Sequence, residues 1–161
     1  MIGVEGRLLS SKPLAHKPAW HSIQMSKVET YREKLRDLKS WDPYLLSESR
    51  LPGPRANLEL AFAVALEGSE SKLVQFAELG PDVAGKGTRE EFLALCGVIG
   101  LGYLAARGEA EHFDLIRRCA SDPRWRIREA VALGLQKYGE NNFEDLLLLM
   151  IDWSKGSLLE K

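Results

Sequence analysis

The sequence has few of the residues that build disulfide, metal or membrane proteins. Its 161 residues include two cysteines and three histidines, and the cysteines, Cys96 and Cys119, lack the CxxC spacing of a zinc or redox site. No apolar run reaches the length of a membrane span, and the N-terminus lacks the apolar stretch of a signal peptide. These absences exclude a disulfide scaffold and a zinc module, and they predict a cytoplasmic protein with no membrane partner.

The sequence also lacks an excess of charge of either sign. The chain has 22 Lys and Arg residues against 23 Asp and Glu residues, a formal net charge of −1. The field of the whole molecule therefore neither attracts nor repels a polyanion. Any binding patch must be local.

β-branched residues are scarce, and this scarcity decides the fold class. Seven valines, six isoleucines and two threonines stand against 26 leucines and 15 alanines. Leucine and alanine favour helices, whereas β-branched residues favour strands. The composition predicts an all-α protein.

Helical periodicity divides the chain into three parts. Residues 1–24 show no sustained period and predict a flexible extension. Residues 25–54 predict one amphipathic helix, capped by Ser26, and a Pro-containing loop in which Asp42-Pro43 suits the start of one helical turn. In the repeat domain predicted for residues 55–161, the segments LAFAVALEG, LGYLAARG and VALGLQKYG each end a helix with glycine, and a second, polar-capped helix follows each.

These three helix pairs form an internal repeat. Their glycines, Gly68, Gly108 and Gly139, are spaced by 40 and 31 residues, and an insertion at PDVAGKGTR accounts for the longer spacing. Gly68 is expected in the left-handed conformation that ends many helices. Thr88 and Glu91 predict a capping box that opens the helix after the insertion, and this helix is predicted to have a single apolar face. Stacked helix pairs of this size predict a short α-solenoid.

The segment SDPRWRIREAVALGLQKYG resembles a HEAT repeat, through Asp122, Arg128 and the small residues at 130, 132 and 134. In such repeats the small residues lie at close helix contacts, so Gly134 is expected at one. With LPGPRANLELA and FLALCGVIGLGYL, it is similar to bacterial HEAT-repeat proteins of unknown function. The resemblance implies a right-handed solenoid of about three HEAT-like hairpins, preceded by one amphipathic helix. It also implies that Asp122 and Arg128 bond between neighbouring repeats. Asp122 is a natural helix cap before a proline, so the helix of this segment is predicted to begin at Pro123.

A basic cluster is the candidate binding site. It consists of Arg117, Arg118, Arg124, Trp125 and Arg126. Local positive charge beside an aromatic ring is typical of nucleic-acid-binding surfaces, and the resemblance extends to HEAT-like alkylpurine DNA glycosylases, which use a basic groove. Acidic residues interleave with these arginines, however, and favour ion pairing that is structural or faces a partner.

Three other patterns resemble those of cofactor, metal or catalytic sites. Gly100 and Gly102 have the spacing of a dinucleotide-binding loop, but the capping box before them predicts a helix, in which small residues serve close packing. His16, His21 and His112 are too scattered to predict a metal site, and the His-Glu dipeptides of the HEAT-like di-iron hydroxylase are missing. The cysteines are expected to be small buried hydrophobic residues, and Trp41 and Trp153 are expected to be packing residues.

The sequence therefore predicts a scaffold that is not an enzyme and holds no cofactor or metal. Its partner is another macromolecule, with a protein favoured. A nucleic-acid-binding or DNA-repair module of the glycosylase type is the alternative, and the phycobilin-lyase class of HEAT proteins is a further one.

The C-terminal end predicts an incomplete solenoid. Ser157 and Glu160 form a capping box, and an apolar stripe begins with Leu158 just before the sequence stops. The last full helix is predicted to pack inward through Phe143, Leu146, Leu147, Met150 and Ile151. Its apolar run is unbroken, however, and too wide for one buried stripe. We therefore expect exposed leucines, Leu148 or Leu149 among them, and self-association through this last repeat.

Overall fold

The chain is helical throughout the part that the structure describes. This structure, a computed structural model, describes residues 19–156, and these residues form helices and no strand. The predicted all-α class is confirmed. In chain order the helices are α1 (Ala19–Asp37), α2 (Asp42–Glu48), α3 (Leu58–Glu67), α4 (Glu70–Ala77), α5 (Glu91–Ala106), α6 (Phe113–Ala120), α7 (Trp125–Gly139) and α8 (Phe143–Trp153), with a 3₁₀ turn at Ala110–His112.

Helix α1 begins earlier than predicted. Its first residue is Ala19, so the prediction that Ser26 caps this helix is wrong. The sequence between Pro18 and Ser26 contains no glycine or proline, and nothing in it interrupts a helix. The rest of the predicted extension, residues 1–18, and the predicted capping box at residues 157–160 lie outside the described residues.

Helix α5 is the centre of the hydrophobic core. Fourteen of its sixteen residues are buried, because α3, α4 and α7 all pack against it. A single apolar face was predicted, whereas nearly the whole circumference of α5 is enclosed. Such an all-apolar helix belongs in a protein interior or a membrane. No helix in the described part of the chain, α5 included, is both long and apolar enough to cross a bilayer.

The first helices of the predicted pairs lie side by side. Helix α3 contacts α5, α5 contacts α7, and α1 packs against α3. Of the second helices, α4 packs mainly on α5, whereas α6 and α8 pack on α7. Helix α4 therefore buries its apolar residues mainly against the following helix pair.

Glycines set the close contacts of α5. A Cβ atom on Gly102 would lie 2.3 Å from the Cα atom of Gly134 in α7, and one on Gly97 would lie 2.2 Å from the backbone nitrogen of Ala77 in α4. No Cβ atom fits at such distances. The predicted close packing at Gly134 is confirmed, and the apparent dinucleotide-binding spacing lies inside an unbroken helix.

Gly68 ends its helix in a way that the sequence did not predict. Its backbone is extended, with φ −68° and ψ 135°, and not left-handed. A Cβ atom at this position would lie 2.7 Å from a methyl carbon of Leu73 and 2.8 Å from the carbonyl oxygen of Val64. Lack of space, and not backbone conformation, accounts for the glycine.

Candidate functional site

The five predicted binding residues are divided between the interior and the surface. Arg124 and Arg126 are only 2% and 7% exposed, so the prediction of a surface patch is wrong for these two residues. Trp125 and Arg118 are exposed, and Arg117 is half-buried. Arginine is rarely buried unless acceptors satisfy its charge and donors. Internal acceptors hold both buried arginines here.

Asp122 holds the side chain of Arg124 at the start of α7. Its carboxylate accepts hydrogen bonds from Nε and Nη2 of Arg124 at 2.9 and 2.7 Å, and from the backbone N–H of Arg124 at 2.8 Å. The helix begins at Trp125 and not at the predicted Pro123. Nη1 of Arg124 donates to the carbonyl oxygen of Ala84 at 2.8 Å, which ties the predicted insertion to α7.

The contact implied between Asp122 and Arg128 differs from the one observed. Nη1 of Arg128 donates to the backbone carbonyl oxygen of Asp122 at 2.6 Å, within a single segment of the chain. The carboxylate of Asp122 is occupied by Arg124. The bond that reaches a neighbouring helix pair is therefore the one from Arg124 to Ala84.

A second buried ion pair joins α7 to α5. Nη1 of Arg126 lies 3.3 Å from Oε2 of Glu91, a residue with no exposed surface. The same oxygen accepts a hydrogen bond from the backbone N–H of Gly87 at 2.7 Å. Half of the predicted capping box is present, because the hydroxyl of Thr88 accepts from the backbone N–H of Glu91 at 3.3 Å. The Glu91 carboxylate turns to Gly87 and Arg126 and supplies no cap to Thr88.

The two buried pairs fasten two loops to the start of α7. Arg124 binds the loop at residues 81–90 through Ala84, and Arg126 donates to the carbonyl oxygen of Gly53, at 2.7 Å, in the loop at residues 49–57. Buried ionic groups are costly unless such partners surround them, and in these two pairs only Nε of Arg126 and Oε1 of Glu91 are buried without a hydrogen bond. These two arginines therefore organise the fold and do not form a binding patch.

Asp122 should make the stability of the protein sensitive to acid. Burial acts to raise its pKa, but the hydrogen bonds and charge of Arg124 outweigh burial and lower the pKa below its ordinary value. Because the pKa of Asp122 is lower in the folded state, its ionised carboxylate stabilises the fold fully at pH values above the unfolded pKa of about 3.9. This stabilisation is lost as the pH falls through the folded pKa. We expect Asp122→Asn to cost about 1–3 kcal/mol at neutral pH and to weaken the acid dependence.

This effect is measured by urea unfolding of the parent and of Asp122→Asn at neutral pH and at about pH 3. Asp82→Asn is the matched control, because Asp82 is exposed. An identical fall in unfolding free energy with acid for the parent and for Asp122→Asn would contradict the assignment.

Trp125 lines a cleft beside the start of α7. The residue is 41% exposed, and its ring centre lies 4.6 Å from the Cζ atom of Arg126. The cleft has a volume of about 510 Å³. Its charged lining residues are Arg50, Arg55, Glu59 and Glu129. Because positive and negative side chains balance, the cleft lacks the excess of positive charge on which binding to nucleic-acid phosphates depends.

Helix α8 presents an exposed apolar surface. Four of the seven large apolar side chains that are exposed among the described residues lie on this one helix, at 47–67% exposure. We call these four residues the α8 face. The α8 face consists of Phe143, Leu147, Leu148 and Ile151.

The buried side of α8 agrees only in part with the predicted one, because Leu146 and Met150 pack against the core as expected. Phe143, Leu147 and Ile151 were expected to pack inward, but they face solvent, while Leu149 packs against the core. The expected exposure of Leu148 is confirmed, and Leu149 is instead half-buried. Trp153 is 3% exposed, which confirms its predicted packing role, and it fixes the rotation of the helix.

Acidic side chains border the α8 face. Glu144, Asp145 and Asp152 are exposed on the same helix, and the helical repeat of 3.6 residues places them beside the apolar row. Asp152 also accepts a hydrogen bond from Nη1 of Arg117 at 3.0 Å, and the Cζ atom of Arg117 lies 5.9 Å from the ring centre of Trp153. Arg117 thus links α6 to α8.

The cysteines offer no nucleophile at neutral pH. Cys96 is fully buried and Cys119 is 7% exposed, which confirms their predicted burial. Burial raises the pKa of both thiols, that of Cys119 to about 11. Thiols with such pKa values stay protonated near neutral pH, whereas the thiolate is the reactive form.

Sequence reasoning missed two groups of residues that the structure brings together. Glu91 pairs with Arg126. The one sequence feature that could have indicated this pair is a carboxylate at the start of an otherwise apolar helix. Glu70 lies beside Glu111 and His112, although α4 and α5 separate them along the chain. No local pattern predicts the second group.

No protein-family model matches the chain, and no curated protein or solved structure matches it at a significant level.

Proposed function

We propose that this chain is a cytoplasmic, non-catalytic scaffold that binds another protein, built as a short right-handed solenoid of HEAT-like helix pairs. The α8 face carries the proposal, because four large apolar side chains lie exposed on one helix. A continuous apolar patch bordered by polar residues is typical of protein interaction sites. The side-by-side arrangement of α3, α5 and α7 supports the repeat architecture.

The partner segment that fits the α8 face is an amphipathic helix with basic edges. Its apolar stripe would cover the leucines of the face, and its lysines or arginines would meet Glu144, Asp145 and Asp152. Charge complementarity of this kind favours the right partner and rejects like-charged ones. The same carboxylates disfavour nucleic acid, and the buried Arg124 and Arg126 offer no charge to a phosphate.

A synthetic amphipathic peptide tests the proposal. We expect a helical peptide with a leucine stripe and lysine edges to bind the parent chain in fluorescence anisotropy. The same peptide with glutamate edges should bind at least about tenfold more weakly, because like charges would then face each other. Leu148→Glu should weaken binding of the lysine peptide by at least about tenfold, equivalent to about 1.4 kcal/mol.

Val83→Glu is the matched control, because Val83 is 61% exposed and belongs to the loop at residues 81–90 and not to α8. Both variants change exposed side chains, so their stability should stay within about 0.5 kcal/mol of the parent. Equal loss of binding in both variants would rule out the α8 face as the site. Salt-dependent binding of duplex DNA that Leu148→Glu leaves unchanged would support the nucleic-acid alternative instead.

A further inference from the structure

The imidazole of His112 has a buried nitrogen without a hydrogen bond. His112 ends the 3₁₀ turn before α6, and its side chain is 11% exposed. Its Nε2 atom is closed off from solvent and lies 3.1 Å from Oε1 of Glu70, but the two groups are not oriented for a hydrogen bond. Buried polar atoms of native proteins nearly always have a partner, and an exception calls for an explanation, of which a bound ion or water is one.

Two carboxylates lie beside this imidazole. Glu70 opens α4, Glu111 precedes His112 in the turn, and one ligand atom from each of the three residues lies within 4.8 Å of the others. Ligands that are each about 2 Å from one metal ion lie no more than about 4 Å apart. Both glutamates are exposed, so their side chains are free to close this small difference.

The surroundings of the three side chains favour a cation. The groove beside them is lined by Glu70, Ser71, Val74, Gln75, Glu78 and His112. Among the described residues, those that line this groove include two carboxylates and neither a lysine nor an arginine. A divalent ion in this groove would balance two of these negative charges.

We propose that Glu70, Glu111 and His112 form a binding site for a divalent transition-metal ion of the zinc class. Imidazole nitrogen with carboxylate oxygen is a donor set that suits Zn²⁺, while Mg²⁺ prefers oxygen ligands alone. Three protein ligands leave a coordination position for water on the groove side. The ion would bind the first turn of α4 to the turn before α6, two segments that are distant in sequence.

Calorimetric titration of the metal-free full chain with ZnCl₂ tests the site. We expect one equivalent of Zn²⁺ to bind and to raise the melting temperature, since a ligand that binds only the folded state stabilises it. His112→Ala and Glu70→Gln should each weaken Zn²⁺ binding by at least about tenfold and lose the shift in melting temperature. Co²⁺ in place of Zn²⁺ should give a visible absorption spectrum that His112→Ala abolishes.

Glu78→Gln is the matched control, because it removes a carboxylate from the same groove but not from the proposed ligand set. Its affinity for Zn²⁺ should equal that of the parent. A His16→Ala, His21→Ala double variant should also bind normally, which excludes the remaining histidines of the chain as the source of the signal. Absence of Zn²⁺ binding by the parent, or equal weakening by Glu78→Gln and Glu70→Gln, would overturn the proposal.

Discussion

Replacing Gly102 with alanine is expected to lower the free energy of unfolding by about 3 kcal/mol or more, the upper range for overpacking a core contact. The added Cβ atom would lie 2.3–2.5 Å from three backbone atoms of Gly134. Backbone atoms cannot turn aside as a flexible side chain does, so α5 and α7 would have to separate. Their contact is the most extensive between any two described helices.

Gly134→Ala is the matched control for this prediction. It adds the same methyl group from the other side of the same contact, but the nearest atoms, Cα of Gly102 and the carbonyl oxygen of Val98, would lie 3.3 Å away. The better helix propensity of alanine offsets part of any strain, so we expect its stability to remain within about 1 kcal/mol of the parent. Chemical unfolding measures both variants. Equal losses would show that the contact is not as asymmetric as the structure indicates.

Arg126→Met is expected to cost about 3–5 kcal/mol, the usual penalty for leaving one member of a buried ion pair without its partner. The fully buried carboxylate of Glu91 would then lose its guanidinium partner and keep only the hydrogen bond from the backbone N–H of Gly87. Arg118→Met is the control, because Arg118 is exposed and its replacement should change stability by no more than about 0.5 kcal/mol.

The double variant Glu91→Leu, Arg126→Met should be more stable than Arg126→Met alone. Replacing both members of a buried ion pair with apolar residues is often neutral, although Gly87 and Gly53 would each lose a hydrogen-bond partner. A double-mutant cycle in urea isolates the interaction between the two residues. If Arg126→Met costs no more than Arg118→Met, the pair contributes no stability and our placement of Arg126 in the core fails.

Helix boundaries could be predicted from the sequence wherever local chemistry decides them. Ser69 accepts a hydrogen bond from the backbone N–H of Lys72 at 3.3 Å, as expected of a helix cap, and α2 begins at Asp42 beside the predicted start at Asp42-Pro43. Capping side chains act within one turn of the backbone, so a local pattern is enough to identify them. Helix α1 was misjudged because its first residues contain neither a cap nor a break.

The candidate sites were harder to predict, because exposure is not a local property. Arg124 and Arg126 look like surface charges in the sequence, and they are buried because acceptors from two distant loops surround them. Phe143 and Leu147 look like core residues, and they are exposed because the described chain places no helix over them. Both errors arise where long-range contacts decide which way a side chain faces.

The sequence by itself determined that this protein is all-α, that three glycine-ended helices recur, and that Gly134 lies in a close helix contact. Composition, periodicity and capping suffice for these, since helix hydrogen bonds and propensities act over a few residues. Only the tertiary structure decided that α5 is enclosed on nearly all sides and that the basic cluster is a buried network. It also brought Glu70 to His112. Burial and ion pairing depend on which distant segments meet, and desolvation makes an unpaired buried charge too costly to keep.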